Sequence, residues 1–484
     1  MKILGRRLRI LAFLVAVALA PGAARGVVKI TRGPYLQSLL GTSAVVVWKT
    51  EGESAGGIRW TGPDGLAHSA GEGPPSLQHK VAITDLIPGT VYRYTLLDGD
   101  AAATEEFAFR TAPAPGEGTV KVAVAGDTGS GSLHQKAVAS VIEGMQPDIF
   151  VHAGDLDYID DVDRAIFGPY QKILSRACLY PCMGNDHDPG QDWPGLFTLP
   201  FDGPRGKEVY YSFDWGNAHF AAVDSEGDLE EESPQRKWLE GDLAAARERK
   251  IPWIILFFHR AVYTVGRYSS SSSTLEIRRL ITPVVDRFGV DLVLNAHDHN
   301  YQRAYPVKDG VVRRAWQEPR FGAPGGTVYV VSGGGGRTLY KEVEDADHAL
   351  NRLFVRSFHA VELVISSLQI DVRAISEEGK VIDSFSIQKE DRAYPFIRGD
   401  ADRSGLLELA DPILLLVHLF LGAALDCPQR CRVDGSDGPP SVTDAIAVLR
   451  YLFLGATPPA APFPACGSAE GFDDASCLLP GCGE

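Results

Sequence analysis

At 484 residues the chain is too long for one hydrophobic core, so two to four domains are expected. A hydrophobic share of 45% with 23% charged residues excludes a disordered chain. A formal net charge of −15 argues against a nucleic-acid-binding surface and fits a protein that holds cations through carboxylates.

Residues 1–26, MKILGRRLRILAFLVAVALAPGAARG, have the layout of a secretory signal peptide: a basic start, an apolar stretch from Ile10 to Leu19, then small residues. That stretch is shorter than the roughly 20 residues a membrane span needs, and no later segment is long and apolar enough to cross. Export is therefore expected, to an extracellular, periplasmic or cell-surface location. In an exported chain, seven cysteines imply disulfides. Cys178 and Cys182 flank one strand-like segment, and Cys427, Cys431, Cys466, Cys477 and Cys482 crowd the C-terminus.

Residues 27–112 alternate polar and apolar positions in short stretches such as AVVVWK, HKVAI, VYRYTL and EFAFRT, separated by Gly- and Pro-rich turns. This period of two predicts an antiparallel β-sandwich. LIPGTVYRY resembles the fibronectin type III pattern, with Tyr92 as its corner tyrosine. APAPGEG, at 112–118, reads as a linker.

From 119 to 390 apolar strand-like runs alternate with helical stretches such as LHQKAVASVIEGM and SPQRKWLEGDLAAARER. Continuous apolar strands predict sheets covered on both faces. Each run ends in a residue suited to metal or acid–base chemistry. In order these are Asp127 in GDTG, Asp155 and Tyr158 in GDLDY, Asn185–His187 in GNDHD, His259 in FFHR, and His297 with His299 in AHDH. Oxygen and imidazole donors without thiolates suit iron, zinc or manganese, and the carboxylate of Asp155 is able to bridge two ions.

These five motifs in this order resemble the purple acid phosphatases of the calcineurin-like metallophosphoesterase superfamily. DSEGDLEEESPQRKWLEGDL and HDHNYQRAYPV also look like family stretches, and the preceding sandwich resembles the family's N-terminal domain. The resemblance covers about three-quarters of the chain and implies a central four-layer αββα sandwich. By position it gives Asp127, Tyr158 and His299 to an iron(III), Asp155 to the bridge, and Asn185, His259 and His297 to zinc, manganese or iron(II). Related phosphoesterases place a His where Gly129 stands, and Tyr158 would supply the missing ligand. Hydrolysis of phosphate monoesters by a metal-bound hydroxide follows as the expected activity. Phosphodiester hydrolysis and a non-catalytic surface- or matrix-binding role are the competing readings.

Three features depart from the family pattern. Ala296 replaces a glycine, which suits the site unless the backbone there needs a positive φ, and Ser269–Ser273 reads as a mobile loop. In GNDHD one extra residue leaves two alignments open. If Gly-Asn is the anchor, Asn185 is the ligand and His187 the proton donor or phosphate contact. If His-Asp is the anchor, Asp186 replaces the amide ligand with a carboxylate.

Residues 396–457 contain a repeat: LADPILLLVHLFLGA and VTDAIAVLRYLFLGA align at an offset of 33. DADRSGLLELAD, at 400–411, fits a calcium loop with Asp400, Asp402, Ser404, Glu408 and Asp411 as ligands. The second copy is poorer, with Val433 at its first position and Asp444 at its last. The pair resembles a dockerin, a small α-helical EF-hand-like module whose partners are cohesins. Residues 458–484 form a Cys- and Pro-rich tail expected to be irregular.

Overall fold

The computed structural model describes residues 28–71, 73–185, 193–200, 209–312, 320–321, 326–389, 396–402, 404–423, 425, 428–434 and 439–465. The expected signal peptide, Asp186, His187 and the four cysteines Cys427, Cys466, Cys477 and Cys482 lie outside these residues.

The N-terminal alternation forms two small antiparallel sheets. Ala44–Ser54 lies between Ile30–Gln37 and Ser76–Ile83, while Gly56–Thr61 pairs with Ala67–Gly71 and Val91–Asp98. The hydroxyl of Tyr92 accepts the Ile87 N–H at 2.9 Å, tying its strand to the turn just before it.

Two larger sheets make up the central region. In the first, Val120–Ala125, Ile149–His152 and Cys178–Pro181 are parallel neighbours, and His359–Ile365, Gln369–Ser376 and Val381–Gln388 extend it antiparallel. In the second, Ala218–Ala222, Trp253–Phe257, Leu292–Asn295 and Val328–Ser332 run parallel. Alternation within the second sheet sets the layering. Ile255, Phe257, Leu292 and Leu294 join Phe150, Leu179, Val361 and Leu363 of the first sheet in one core. Ile254, Leu256 and Val293 face the other way, under Leu239 and Leu243 of the helix Pro234–Glu248 and Ile277 and Ile281 of the helix Ser272–Phe288. Both faces of that sheet are therefore covered, as unbroken apolar strands require.

Helix starts follow side-chain capping. Ser132 accepts from Gln135 N, Ser233 from Arg236 N and Ser271 from Thr274 N. The serine run expected to be a mobile loop is thus in part a helix start: Ser271 caps the helix, and Ser272 and Ser273 form its first turn.

The N-terminal sheets share the central core rather than hanging from a tether. Tyr35, Leu36 and Leu39 are buried in it. The Leu39 carbonyl accepts both the Tyr180 hydroxyl at 2.6 Å and the Trp215 indole N–H at 3.1 Å. Arg32 grips Asp163 with two hydrogen bonds of 2.5 and 2.8 Å, and Tyr94 donates to the Ser175 carbonyl at 2.6 Å. Cys178 and Cys182 are buried at the ends of one strand segment and Cys431 is buried near the C-terminal helices, while the other four cysteines of the expected disulfides lie outside the described residues. No helix among the described residues is long and apolar enough to cross a membrane.

The C-terminal repeat forms two helices, Ala410–Leu421 and Val442–Leu454, each ending on a left-handed glycine, Gly422 and Gly455.

Candidate metal centre

The parallel strands of both sheets carry their chemistry at their carboxyl ends, where the sheets face each other. Asp127, Asp155 and Asn185 follow successive strands of the first sheet; His259 and His297–His299 follow successive strands of the second. All seven proposed ligands converge, in two groups joined by Asp155. In one group the Tyr158 hydroxyl donates to Asp127 Oδ1 at 2.9 Å, and His299 Nε2 lies 3.4 Å from that same oxygen. In the other, His259 Nε2 lies 2.9 Å from Asn185 Oδ1 and 3.1 Å from His297 Nδ1. Asp155 spans both, with Oδ2 accepting from Tyr158 at 2.8 Å and Oδ1 standing 3.4 Å from His259 Nε2. Asp127, Asp155 and His259 each bring one donor atom within 4.8 Å of the others.

This donor set fits a cation. His259 Nδ1 faces the Ala153 carbonyl at 2.9 Å, and His299 Nδ1 faces the Thr338 carbonyl at 2.8 Å. A carbonyl only accepts, so each Nδ1 carries a proton, and loss of the Nε2 proton would leave a lone pair aimed at oxygens that also accept. Such facing lone pairs repel unless a positive charge lies between them. Burial, followed by the neighbouring His259 and Arg260, lowers the His297 imidazole to about 2, so it stays neutral and ready to bind a metal. Burial and the carboxylates of Asp127 and Asp155 raise the Tyr158 phenol far above its ordinary value, so only a highly charged cation would ionise it there.

The backbone holds these side chains in uncommon shapes. Asp127, Asp155 and His297 take left-handed φ values of 55°, 55° and 68°. Ala296 is not among the left-handed residues, so the replacement of glycine by alanine is accommodated. A Cβ on Gly129 would lie 1.7 Å from the Leu156 carbonyl oxygen. No ligand is able to come from position 129, and the space above it is left to Tyr158.

Sequence reading missed the walls of the site. Tyr268 stacks on His297 with centroids 4.0 Å apart, and Tyr340 stacks on His299 at 4.1 Å. Arg267 lies over Tyr340 at 4.8 Å and Arg337 over Tyr158 at 4.6 Å. The unread signal was GGGGRTLY, 333–340. A Cβ at Gly333 would meet Asp127 Oδ2 at 2.7 Å, so this glycine run passes directly behind the carboxylate.

The C-terminal loop brings together three of its five calcium candidates. Asp400, Asp402 and Asp411 offer oxygens within 4.8 Å of one another, whereas the Glu408 carboxylate is not part of the cluster and the Ser404 hydroxyl donates to the Leu406 carbonyl. The repeat is visible in geometry. Asp411 accepts from Ala401, Asp402 and Glu408 N–H groups, and Asp444 accepts likewise from Val433, Asp434 and Ser441.

Comparison with known proteins matches residues 120–301 to the calcineurin-like phosphoesterase family. A probable inactive purple acid phosphatase 27 of Arabidopsis thaliana is 26% identical over 382 residues, covering 67% of this chain and 60% of its own length. A nucleotide pyrophosphatase/phosphodiesterase of Hordeum vulgare is 26% identical over 351 residues, 62% of this chain and 91% of its own. In fold, the purple acid phosphatase PPD1 of yellow lupin superimposes with a TM-score of 0.65 at 20% identity, covering 74% of each chain. The chain thus spans only 60% of the length of the Arabidopsis relative. Residues 120–301 thus match the calcineurin-like phosphoesterase family, in a chain similar in sequence to purple acid phosphatases and in fold to one of them.

Proposed function

We propose that the protein is a metal-dependent hydrolase of phosphate esters, acting as a phosphatase on monoesters. The observation that carries this reading is the pair of buried imidazoles, His259 and His299, locked by backbone carbonyls with Nε2 aimed at oxygen acceptors. Asp127, Tyr158 and His299 would hold iron(III), Asn185, His259 and His297 a divalent zinc, manganese or iron, and Asp155 both. Two ions so held would polarise a phosphoryl oxygen and make water more acidic. The chain's own residues orient the substrate: Tyr268 and Tyr340 wall the entrance, and His187 and Asp186 are the proposed source of the proton for the departing alcohol oxygen.

Metal analysis with an absorption spectrum tests this reading. Iron bound to Tyr158 gives a visible charge-transfer band that Tyr158→Phe abolishes, and aryl phosphate turns over. Two bound metals without turnover of any phosphate ester would sink the enzymatic reading and favour a binding role, consistent with the Arabidopsis relative being named inactive. The name of the barley relative supports phosphodiesters as the second substrate class.

The same proposal extends to the ends of the chain. It includes export, a fibronectin-like N-terminal sandwich, and calcium held by Asp400, Asp402 and Asp411 in a dockerin-like module with a cohesin-like partner. Calcium titration by calorimetry tests the last part: absence of binding, or binding unchanged in Asp411→Ala, refutes it.

A further inference from the structure

His259 and His299 are held by backbone carbonyls, but His297 is not. Its Nδ1 faces His259 Nε2 at 3.1 Å, and among the described residues its Nε2 meets only Arg260 Nη1, at 3.4 Å. The contact that fixes the plane of this ring is Tyr268, stacked on it with centroids 4.0 Å apart and planes 19° from parallel. Tyr268 lies between the strand Trp253–Phe257 and the helix Ser272–Phe288, in a connection that is neither strand nor helix. No backbone ladder places it, so its position depends on side chains that fasten the loop.

Asp298, the residue directly after His297, is that fastener. Its side chain is buried, and Oδ2 accepts the Thr264 hydroxyl at 2.5 Å and the Tyr268 N–H at 3.4 Å. The Thr264 oxygen in turn accepts the Gly266 N–H at 2.9 Å and an amide N–H of Gln302 at 2.8 Å, so its one proton and both lone pairs are used. Gln302 Oε1 accepts the Val265 N–H at 2.8 Å. Gly266 lies against the carboxylate, since a Cβ there would stand 2.6 Å from Asp298 Oδ1. The contacts close a ring: from the His297 backbone through the Asp298 side chain to Tyr268, and back onto the His297 imidazole. Asp298 Oδ1 meets no hydrogen-bond donor among the described residues, and a buried oxygen left unpaired destabilises the fold. A residue kept at such a cost points to a role beyond fastening a loop.

We infer that Asp298 is a positioning residue for the second metal site: acting through Tyr268, it holds the His297 imidazole in the orientation that binds the divalent ion. This rests on the metal-dependent hydrolase reading above and deepens it. Asp298 acts by accepting hydrogen bonds with Oδ2 rather than by its charge, so an amide that keeps one accepting oxygen preserves the effect. His259 and His299, locked by carbonyls of their own, do not depend on it.

Two measurements on the full chain test this, and the first needs no metal. Histidine labelled with carbon-13 at Cε1 gives an NMR signal for each imidazole, and that of His297 is identified by its loss in His297→Gln. The stacked Tyr268 ring shifts this signal upfield, so Tyr268→Ala and Asp298→Ala should each return it downfield. Asp298→Asn should leave it near the parent position. Thr264→Val, which removes a hydroxyl from the same network, should move it as Asp298→Ala does. The second measurement is zinc binding to the metal-stripped protein by calorimetry. Asp298→Ala and Tyr268→Ala should each weaken one zinc by roughly tenfold, and the double variant should bind no more weakly than Tyr268→Ala alone. An unmoved His297 signal in Asp298→Ala overturns the assignment, as do additive losses in the double variant. Zinc binding as weak in Asp298→Asn as in Asp298→Ala also overturns it, because the charge would then act on the metal directly. A parent protein that binds no zinc while its His297 signal behaves as expected refutes the metal reading and upholds Asp298 as the residue that positions His297.

Discussion

At Gly129 the geometry makes a demand the sequence states only indirectly. The neighbouring carbonyl leaves no room for a side chain, so Gly129→Ala should cost about 3 kcal/mol or more in urea unfolding. Gly144 is the control: it lies in the helix Leu133–Met145 with nothing within 4 Å of its missing Cβ. Gly144→Ala should stabilise by up to about 1 kcal/mol through helix propensity alone. The register of GNDHD is decided by metal content. Asn185→Ala should release the second metal while Asp186→Ala retains it; the reverse result would establish the alternative alignment. The candidate ligand residues were legible in the sequence because they cluster just after apolar runs. Tyr268, Tyr340 and the two arginines were not, because a stacking partner has no fixed spacing and is identified only by what the chain folds against.

Among the elements, the strand pair Tyr211–Trp215 and Ala218–Ala222 is fastened to the helix Pro234–Glu248 by a buried histidine. His219 lies between Asp214 at 2.7 Å and Asp242 at 2.8 Å. Burial pulls its imidazole down, but the hydrogen bonds and charges of Asp214 and Asp242 outweigh this and raise it to about 9. A raised value means that the folded state holds the proton more tightly than the unfolded chain does. This stabilisation is full below about pH 6.5 and is lost as pH rises through 9, a change on the order of 3 kcal/mol. Denaturation midpoints across that range should fall in the parent protein and stay nearly flat in His219→Gln. Element types were largely readable here, since uninterrupted apolar runs foretold the parallel strands and serine caps mark the helix starts. The serine run was misread because the same residues favour both loops and caps, and only the apolar face of the following helix distinguishes them.

Over the whole molecule, composition led to the expectation of several domains with a linker at 112–118, but it gave no sign of how closely the N-terminal sheets pack into the central core. The Leu39 carbonyl is held by Tyr180 and Trp215, residues that follow it by 141 and 176 positions. The two parts should therefore unfold in one calorimetric transition; two resolved transitions would show the sandwich to be autonomous. The order of synthesis gives this contact a further consequence. The segment around Leu36 and Leu39 leaves the ribosome long before Trp215, and until then its apolar side chains lack the surface that buries them. The nascent sandwich must wait, incomplete, for more than a third of the chain, so a holding factor or an unfolded export route would serve it better than rapid folding of its first hundred residues.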